Sequence, residues 1–423
     1  MSEQKPRWRW LRRLTIVFVI TAVIVGAGWI ALLAFYAGQL RDEIEEAGDE
    51  LSLQVLQDRY YPPIPEVDNA ASLWLEAGAL YGENETPLEA LGYDEAPTDE
   101  TWRDLRAFLE ERKPVFALIE EALQRPQSRF DVDFTDGYAM RDPSVIVMYR
   151  LGVLLEASIQ LALHDQDVPT AVHQIELLLR KTNHHSLPFL TVRLARASCA
   201  QRACDLIADL LALDVSSEQL RRLRDAIPED DTTFPTLLAV ERAMLHALFE
   251  QYRRDPSVVY RADNWEWRLR RTHIVDADHA YALWHLREGT AALSLPPQEA
   301  ATRGQELDDL LQSQTRVFPP KPISGSHLML LGPVVRRQHR AQAYRAATLA
   351  VLEIELILAQ TGALPEAIPP GFHDPRTGTP LNYVRGGKGY MVYSVGENGV
   401  DDRGDPDDDW VLRVRLPKLE DDF

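Results

Sequence analysis

Leu14 to Ala37, LTIVFVITAVIVGAGWIALLAFYA, is an uncharged run of 24 residues. A helix of that length crosses a hydrocarbon core of about 30 Å. Thirteen of its residues are Leu, Ile, Val or Phe. At roughly −0.3 to −0.6 kcal/mol each, they favour insertion by several kcal/mol with no charge to oppose them. The amino-terminal flank holds Lys5, Arg7, Arg9, Arg12 and Arg13 against Glu3, while Asp42, Glu43, Glu45 and Glu46 follow the run. Basic residues beside a first helix stay on the cytoplasmic side. The expected layout is therefore a cytoplasmic tail over 1–13, a transmembrane helix over 14–37 and an exported remainder. That layout places the chain in a bacterial inner membrane, with its bulk periplasmic or exoplasmic. A cleaved leader is the rival reading. The run is longer than a leader's apolar core, and Phe35 stands where cleavage after Ala37 would want a small residue.

The first 13 residues carry +4 and the rest of the chain −24, for a net charge of −20. So acidic an exported part excludes nucleic-acid binding, which needs basic surface. At 45% hydrophobic and 26% charged residues, the composition is that of a folded globular body. The two cysteines, Cys199 and Cys204, are too far apart on a helix to bridge, and Cys204 falls on an apolar stripe as a core thiol. With no disulfide framework, the body must stand on its hydrophobic core.

Periodicity and caps predict a mainly α chain, with an exported helical domain over 41–325. An amphipathic helix over 41–57 is followed by the proline-rich Tyr60 to Pro65, which cannot be helical. Asp68 or Asn69 caps a helix to Tyr81, residues 82–97 form a loop, and Thr98 starts a helix expected to run to Gln124. Helices are then placed near 143–164, 169–182, 187–213 and 216–227, the last opened by the capping box Ser216-x-x-Gln219. They read as helical hairpins, packed either as a bundle or as a solenoid. A helix over 234–253 and a mostly helical, aromatic-rich 257–295 with Trp265, Trp267, Tyr281 and Trp284 complete the domain.

A loop at 316–327 marks the expected boundary with a small α+β module over 326–416. There a long helix from Leu328 to Thr361, broken near Gly332-Pro333, is ended by Gly362. Strands follow at Asn382 to Val384, Tyr390 to Val395 and Trp410 to Val414, an antiparallel set. The second and third are separated by an acidic loop over 396–409.

Three strings in this module carry a resemblance. Gly362-Ala363-Leu364-Pro365 closes the helix. Asp374-Pro375-x-Thr-Gly378-x-Pro380-Leu381-x-Tyr383 opens the sheet. Tyr393-Ser394-Val395-Gly396-Glu397-Asn398-Gly399 leads into the loop. Over about 340–414 the chain resembles the calcium-binding carboxy-terminal part of the major pseudopilin of type II secretion systems. It departs from that family in two places. Leu14 to Ala37 is not preceded by glycine and carries no glutamate, so the chain does not read as a filament subunit. The layout resembles single-pass envelope proteins of planctomycete-type bacteria that end in such a module.

On charge alone the loop, with seven carboxylates and Arg403 between Gly396 and Asp409, reads as a solvated turn. The resemblance implies a calcium site, with Asn398 at the motif's Asp and Asp408 and Asp409 near its later pair. Asn398, Asp401, Asp402, Asp405, Asp408 and Asp409 are the side chains on offer as metal ligands, and calcium takes six to eight oxygens. The loop is not an EF-hand, because Trp410 stands at the required glycine and Leu416 at the terminal glutamate.

No catalytic motif occurs. His184 and His185 are adjacent, His273, His279 and His285 are six apart, and His246 is followed by Ala-Leu-Phe-Glu rather than completing HExxH. None of this is a recognised metal spacing. Glu241 and Arg242 could pair on one helix, and Arg336, Arg337 and Arg340 form a basic patch expected to meet the acidic body. The expectation is a membrane-anchored envelope scaffold or interaction protein with an envelope protein partner. The alternatives are an exported hydrolase whose site assembles in the helical body, and an accessory of a type II secretion or pilus-like machine.

Overall fold

The computed structural model describes residues 5–82, 97–184, 187–228, 234–255, 274–314, 323–328, 330–386 and 389–415. Trp265 and Trp267 lie outside them. The chain is mainly helical, with a three-stranded antiparallel sheet near its carboxy terminus.

Helix α1, Lys5–Ala47, is continuous through the apolar run and into the acidic segment. The expected joint after Ala37 does not exist, because a change in polarity is not a helix stop. The stop comes at Gly48, with φ +52°, in a left-handed conformation that costs glycine little. A 3-10 turn, Gly48–Leu51, leads to Ser52, whose hydroxyl accepts from Val55 N–H at 3.4 Å and caps α2, Leu53–Tyr60. By length and composition, α1 and α6 (Ser144–His164) are the two described helices apolar enough to cross a membrane. They differ in burial. Met148, Leu151, Leu154, Leu155 and Ile159 of α6 are core residues, whereas no part of the apolar window of α1 is buried. The carboxy-terminal end of α1 meets the body, where Leu40 and Ala47, with Leu51 of the following turn, cluster with Ala280 and Leu283.

The larger core gathers α2, α3 (Ala71–Tyr81), α4 (Asp99–Glu111), α5 (Lys113–Ala122), α6, α7 (Val168–His184), α8 (Leu190–Leu210) and α9 (Ser217–Ala226). The predicted helix over 98–124 is two helices. Pro114 at the start of α5 has no N–H to donate, and its ring would collide with the Glu110 carbonyl in a continuous helix. Three other local signals act as read. Thr98 and Thr101 form a reciprocal cap on α4, and Ser216 and Gln219 form one on α9. Asp167 takes the Thr170 N–H and hydroxyl at the start of α7.

A second core joins α10 (Phe234–Arg254), α11 (Ile274–Ala292), α12 (Pro297–Gln314) and the start of α13 (Leu331–Thr361). Residues 257–273 of the aromatic-rich stretch lie outside the described chain. Pro333 does not break α13, because it falls in the first turn, where its missing N–H has no helical partner. Asp308 of α12 caps that turn instead, accepting from Leu331 N–H at 2.6 Å and Gly332 N–H at 2.8 Å. Farther along, α13 enters the larger core through Ala347, Val351, Ile354 and Leu356 and ends at Gly362, φ +74°.

Strands β1 (Asn382–Gly386), β2 (Gly389–Ser394) and β3 (Trp410–Arg415) pair in that order, with Asn382 opposite Tyr393 and Ser394 opposite Trp410. Alternation on β3 turns Trp410, Leu412 and Val414 inward. The sheet packs on α13, where the Tyr390 hydroxyl donates to Glu355 Oε1 at 2.7 Å.

Candidate functional site

The acidic loop over 396–409 connects β2 to β3. A Cβ at Gly396 would overlap the Asp408 carbonyl oxygen, so glycine is what lets the two ends of the loop close. Gly399 (φ +70°), Arg403 (φ +63°) and Gly404 (φ +78°) supply its left-handed turns.

The predicted ligands are engaged one by one. Asn398 donates to Asp402 Oδ2 at 2.6 Å and accepts from Val400 N–H at 2.8 Å. Asp401 Oδ1 accepts from the Tyr393 hydroxyl and from Arg403 N–H, both at 2.9 Å. Asp405 accepts from Asp407 N–H at 3.1 Å through its side chain. Its carbonyl takes the N–H groups of Asp408 and Asp409 at 3.1 and 2.6 Å. The Asp408 side chain is exposed. Asp409 is buried, accepts from Gly404 N–H at 2.8 Å and Gly396 N–H at 3.4 Å, and has its carboxyl pushed up by burial.

Buried Asp374 closes the other side of the loop. It accepts from the Ser394 hydroxyl at 2.8 Å, Arg376 N–H at 2.7 Å and Val395 N–H at 2.9 Å. Arg376 Nη2 reaches the Glu397 carbonyl at 2.6 Å. Among the described residues, no three carboxylates of this loop converge within ligand distance of one another.

The side chains that do converge are His246 and Glu250 of α10 and His279 of α11. Their ligand atoms lie within 4.8 Å of one another, a cluster unique among the described residues. His246 Nδ1 is 3.0 Å from His279 Nε2. Arg253 Nη2 is 3.1 Å from His279 Nδ1 and 2.9 Å from Asp276 Oδ1, and Nη1 is 2.5 Å from Glu250 Oε1. A guanidinium only donates, so His279 Nδ1 accepts. Its ring proton is thereby assigned to Nε2, which donates to His246 Nδ1. Both rings are neutral in this arrangement. Burial pushes both below the ordinary histidine range, and the Arg253 charge acts in the same direction. Phe249 stacks on His279 with ring centroids 4.4 Å apart and fixes the ring plane.

Two of the three residues could have been found in the sequence, although their spacing is not a recognised metal motif. His246-x-x-x-Glu250 puts a ligand pair on one face of a helix, four residues apart. His279, 33 residues on, carries no local signal, because only the packing of α10 on α11 brings it in.

A cavity of about 110 Å³ opens between α8 and α13. Its walls include Arg193, Arg196, Gln338 and Arg345. Burial pushes Arg193 down to about 9 and Arg196 to about 10. Arg345 donates to the Pro228 carbonyl at 2.5 Å. Cys204 at the same wall is a free, buried thiol pushed up to about 12 by burial, as its place on the apolar stripe implied.

Glu241 and Arg242 do not pair with each other but pack against other elements, and Arg336 finds an acidic partner. Arg242 pairs with Glu43 of α1 at 3.3 Å, while Glu241 receives the Tyr138 hydroxyl at 3.4 Å. Arg336 meets Glu397 of the acidic loop at 3.3 Å. Compared with protein-family models, with curated proteins and with solved structures, the chain gives no match.

Proposed function

We propose that the chain is a single-pass membrane protein of the bacterial envelope, with its basic tail in the cytoplasm and its helical body outside, acting as a scaffold or interaction protein. The observation that carries this reading is the form of α1. Its apolar stretch is bare on all sides, with Phe18 75% and Ile30 67% exposed, which in water is an untenable surface. The same helix runs without a joint into a polar segment bound to the body. A body held by such a helix keeps a fixed stance toward the bilayer, which suits presenting a surface to an envelope partner. For the full chain expressed in bacteria, alkaline carbonate washing is expected to leave it in the membrane pellet. External protease acting on spheroplasts is expected to remove the body. Release by carbonate would end the membrane reading, and a body protected from protease would end the exported orientation. Purification in mild detergent is expected to retain a stoichiometric partner, and a chain recovered alone argues against the scaffold role.

The carboxy-terminal module extends the proposal. A helix, a three-stranded antiparallel sheet and an acidic connection agree in kind with the pseudopilin-like strings, and calcium enters through that resemblance. The loop's own N–H groups already bond Asp401 and Asp409, and an ion would share those carboxylates through their remaining lone pairs. Millimolar calcium is expected to raise the Tm relative to EDTA, and Asp408→Ala with Asp409→Ala to abolish the difference. Without that shift, the loop is a turn closed by its own hydrogen bonds.

A further inference from the structure

We propose that His246, Glu250 and His279 bind one divalent cation of the zinc class, with one coordination position left to water, and that the ion ties α10 to α11 one to two helical turns from the residues that hold α1.

The spacing fits such an ion. In a tetrahedral site with zinc–nitrogen distances of 2.0–2.1 Å, adjacent ligand atoms are about 3.3 Å apart. Here the two facing imidazole nitrogens are 3.0 Å apart, and each of the three residues offers a ligand atom within 4.8 Å of the other two. Glu250 and His246 are four residues apart on α10, so their ligand atoms share one face. Two imidazoles and one carboxylate select a transition metal or zinc over calcium and magnesium, which prefer all-oxygen sets. Three protein ligands leave a fourth position open. The site lies far from the acidic loop in sequence, and it requires nothing of where α1 resides.

Arg253 is the competitor. It places a donor on His279 Nδ1 and so leaves the ring proton on Nε2, the nitrogen that faces His246. For Nε2 to bind a cation, that proton must move to Nδ1 and Arg253 must give way. Asp276, which Arg253 bridges to the ring, is the carboxylate that can then accept a hydrogen bond from Nδ1–H. A carboxylate behind a ligating histidine is the usual support for a zinc site. Arg253 is thus expected to weaken binding, and its removal to strengthen it.

The consequence reaches the anchor. Arg242, one turn before His246 on α10, and Arg287, on α11 beyond His279, both grip Glu43 of α1. An ion bridging α10 and α11 stiffens the platform on which α1 rests.

The test uses the untagged full chain in detergent micelles, stripped of metal and titrated with zinc chloride by calorimetry. About one equivalent is expected to bind, with a Tm rise of about 5 °C at saturation. Cobalt in place of zinc is expected to give the intense visible absorption of a four-coordinate centre. His246→Gln and Glu250→Gln change half-exposed residues and are expected to weaken binding by at least roughly tenfold while circular dichroism stays unchanged. Arg253→Met is expected to tighten it. Asp408→Ala with Asp409→Ala is expected to leave it as it was. Absence of binding in the native chain would overturn the proposal. So would undiminished binding in both His246→Gln and Glu250→Gln, or a stoichiometry that follows the acidic-loop variant.

Discussion

Glu43→Ala is expected to cost the folded chain about 3 kcal/mol, because it leaves a buried guanidinium without its carboxylate. Arg242 and Glu43 have side chains only 8% and 11% exposed, 3.3 Å apart. Arg242 Nη2 also reaches the Glu43 carbonyl at 3.5 Å. Removing one partner of a buried pair costs about 3–5 kcal/mol, chiefly through the charge left behind. The lower end applies here, because Arg287, which also holds Glu43 at 3.0 Å, keeps Glu46 and lies 3.7 Å from Glu288. Glu46 is 59% exposed, and Glu46→Ala is expected to cost less than about 1 kcal/mol. In micelles the two variants should separate by about 4 °C or more in Tm, at roughly 2 °C per kcal/mol for a chain of this size. Combining Glu43→Ala with Arg242→Met should recover much of the loss, since no buried charge is then left alone. Equal effects of Glu43→Ala and Glu46→Ala would mean that the contact of α1 with the body is solvated and holds nothing in place.

That contact joins residues 199 apart, Glu43 and Arg242, and the sequence carries no sign of it. A local pairing of Glu241 with Arg242 is the less favoured reading, behind packing against other elements. In the fold, Glu241 and Arg242 serve different neighbours, the Tyr138 hydroxyl and the carboxy-terminal end of α1. What was legible is what short-range physics decides. The caps at Thr98 and Ser216, the glycine stop at Gly362 and the alternating strand at Trp410 all act through atoms within a few residues. Pro114 was equally legible and was passed over in favour of the hydrophobic period around it. The end of α1 was misplaced for the opposite reason. Acidic residues after Ala37 change the solvent a helix prefers, but they do not break it, whereas Gly48 does. The histidine cluster falls between the two cases, with one pair spaced for a shared helix face and a third member supplied by packing alone. The acidic loop marks the limit of reading by motif. Its residues occur in the expected order, yet each carboxylate's role depends on which N–H faces it, and that follows from the turns at Gly399, Arg403 and Gly404.

His285→Leu is expected to stabilise the chain, and to do so more at pH 5 than at pH 7. His285 of α11 is fully buried, and neither ring nitrogen has a hydrogen-bond partner among the described residues. A buried polar group left without a partner costs about 1–3 kcal/mol, and leucine of similar size has none to satisfy. Burial also pushes the imidazole from 6.5 down to about 4. The sign follows from which state takes the proton. Between pH 6.5 and 4 the unfolded chain protonates His285 while the folded chain does not, so stability present above 6.5 is lost as pH falls. By pH 5 that loss is about 2 kcal/mol for a group shifted this far. Leucine does not titrate, and the variant escapes this loss. The stability gap between variant and native chain should therefore widen from about 1 kcal/mol at pH 7 to about 3 kcal/mol at pH 5. His184 and His339, each also lowered to about 4 by burial, titrate alike in both proteins and cancel from the difference, as do the carboxyls of Asp205 and Glu355, which burial raises. Urea unfolding of both proteins at the two pH values measures the gap directly. A gap that does not change with pH would mean that His285 finds a partner or water in the folded chain and titrates there as it does in the unfolded one.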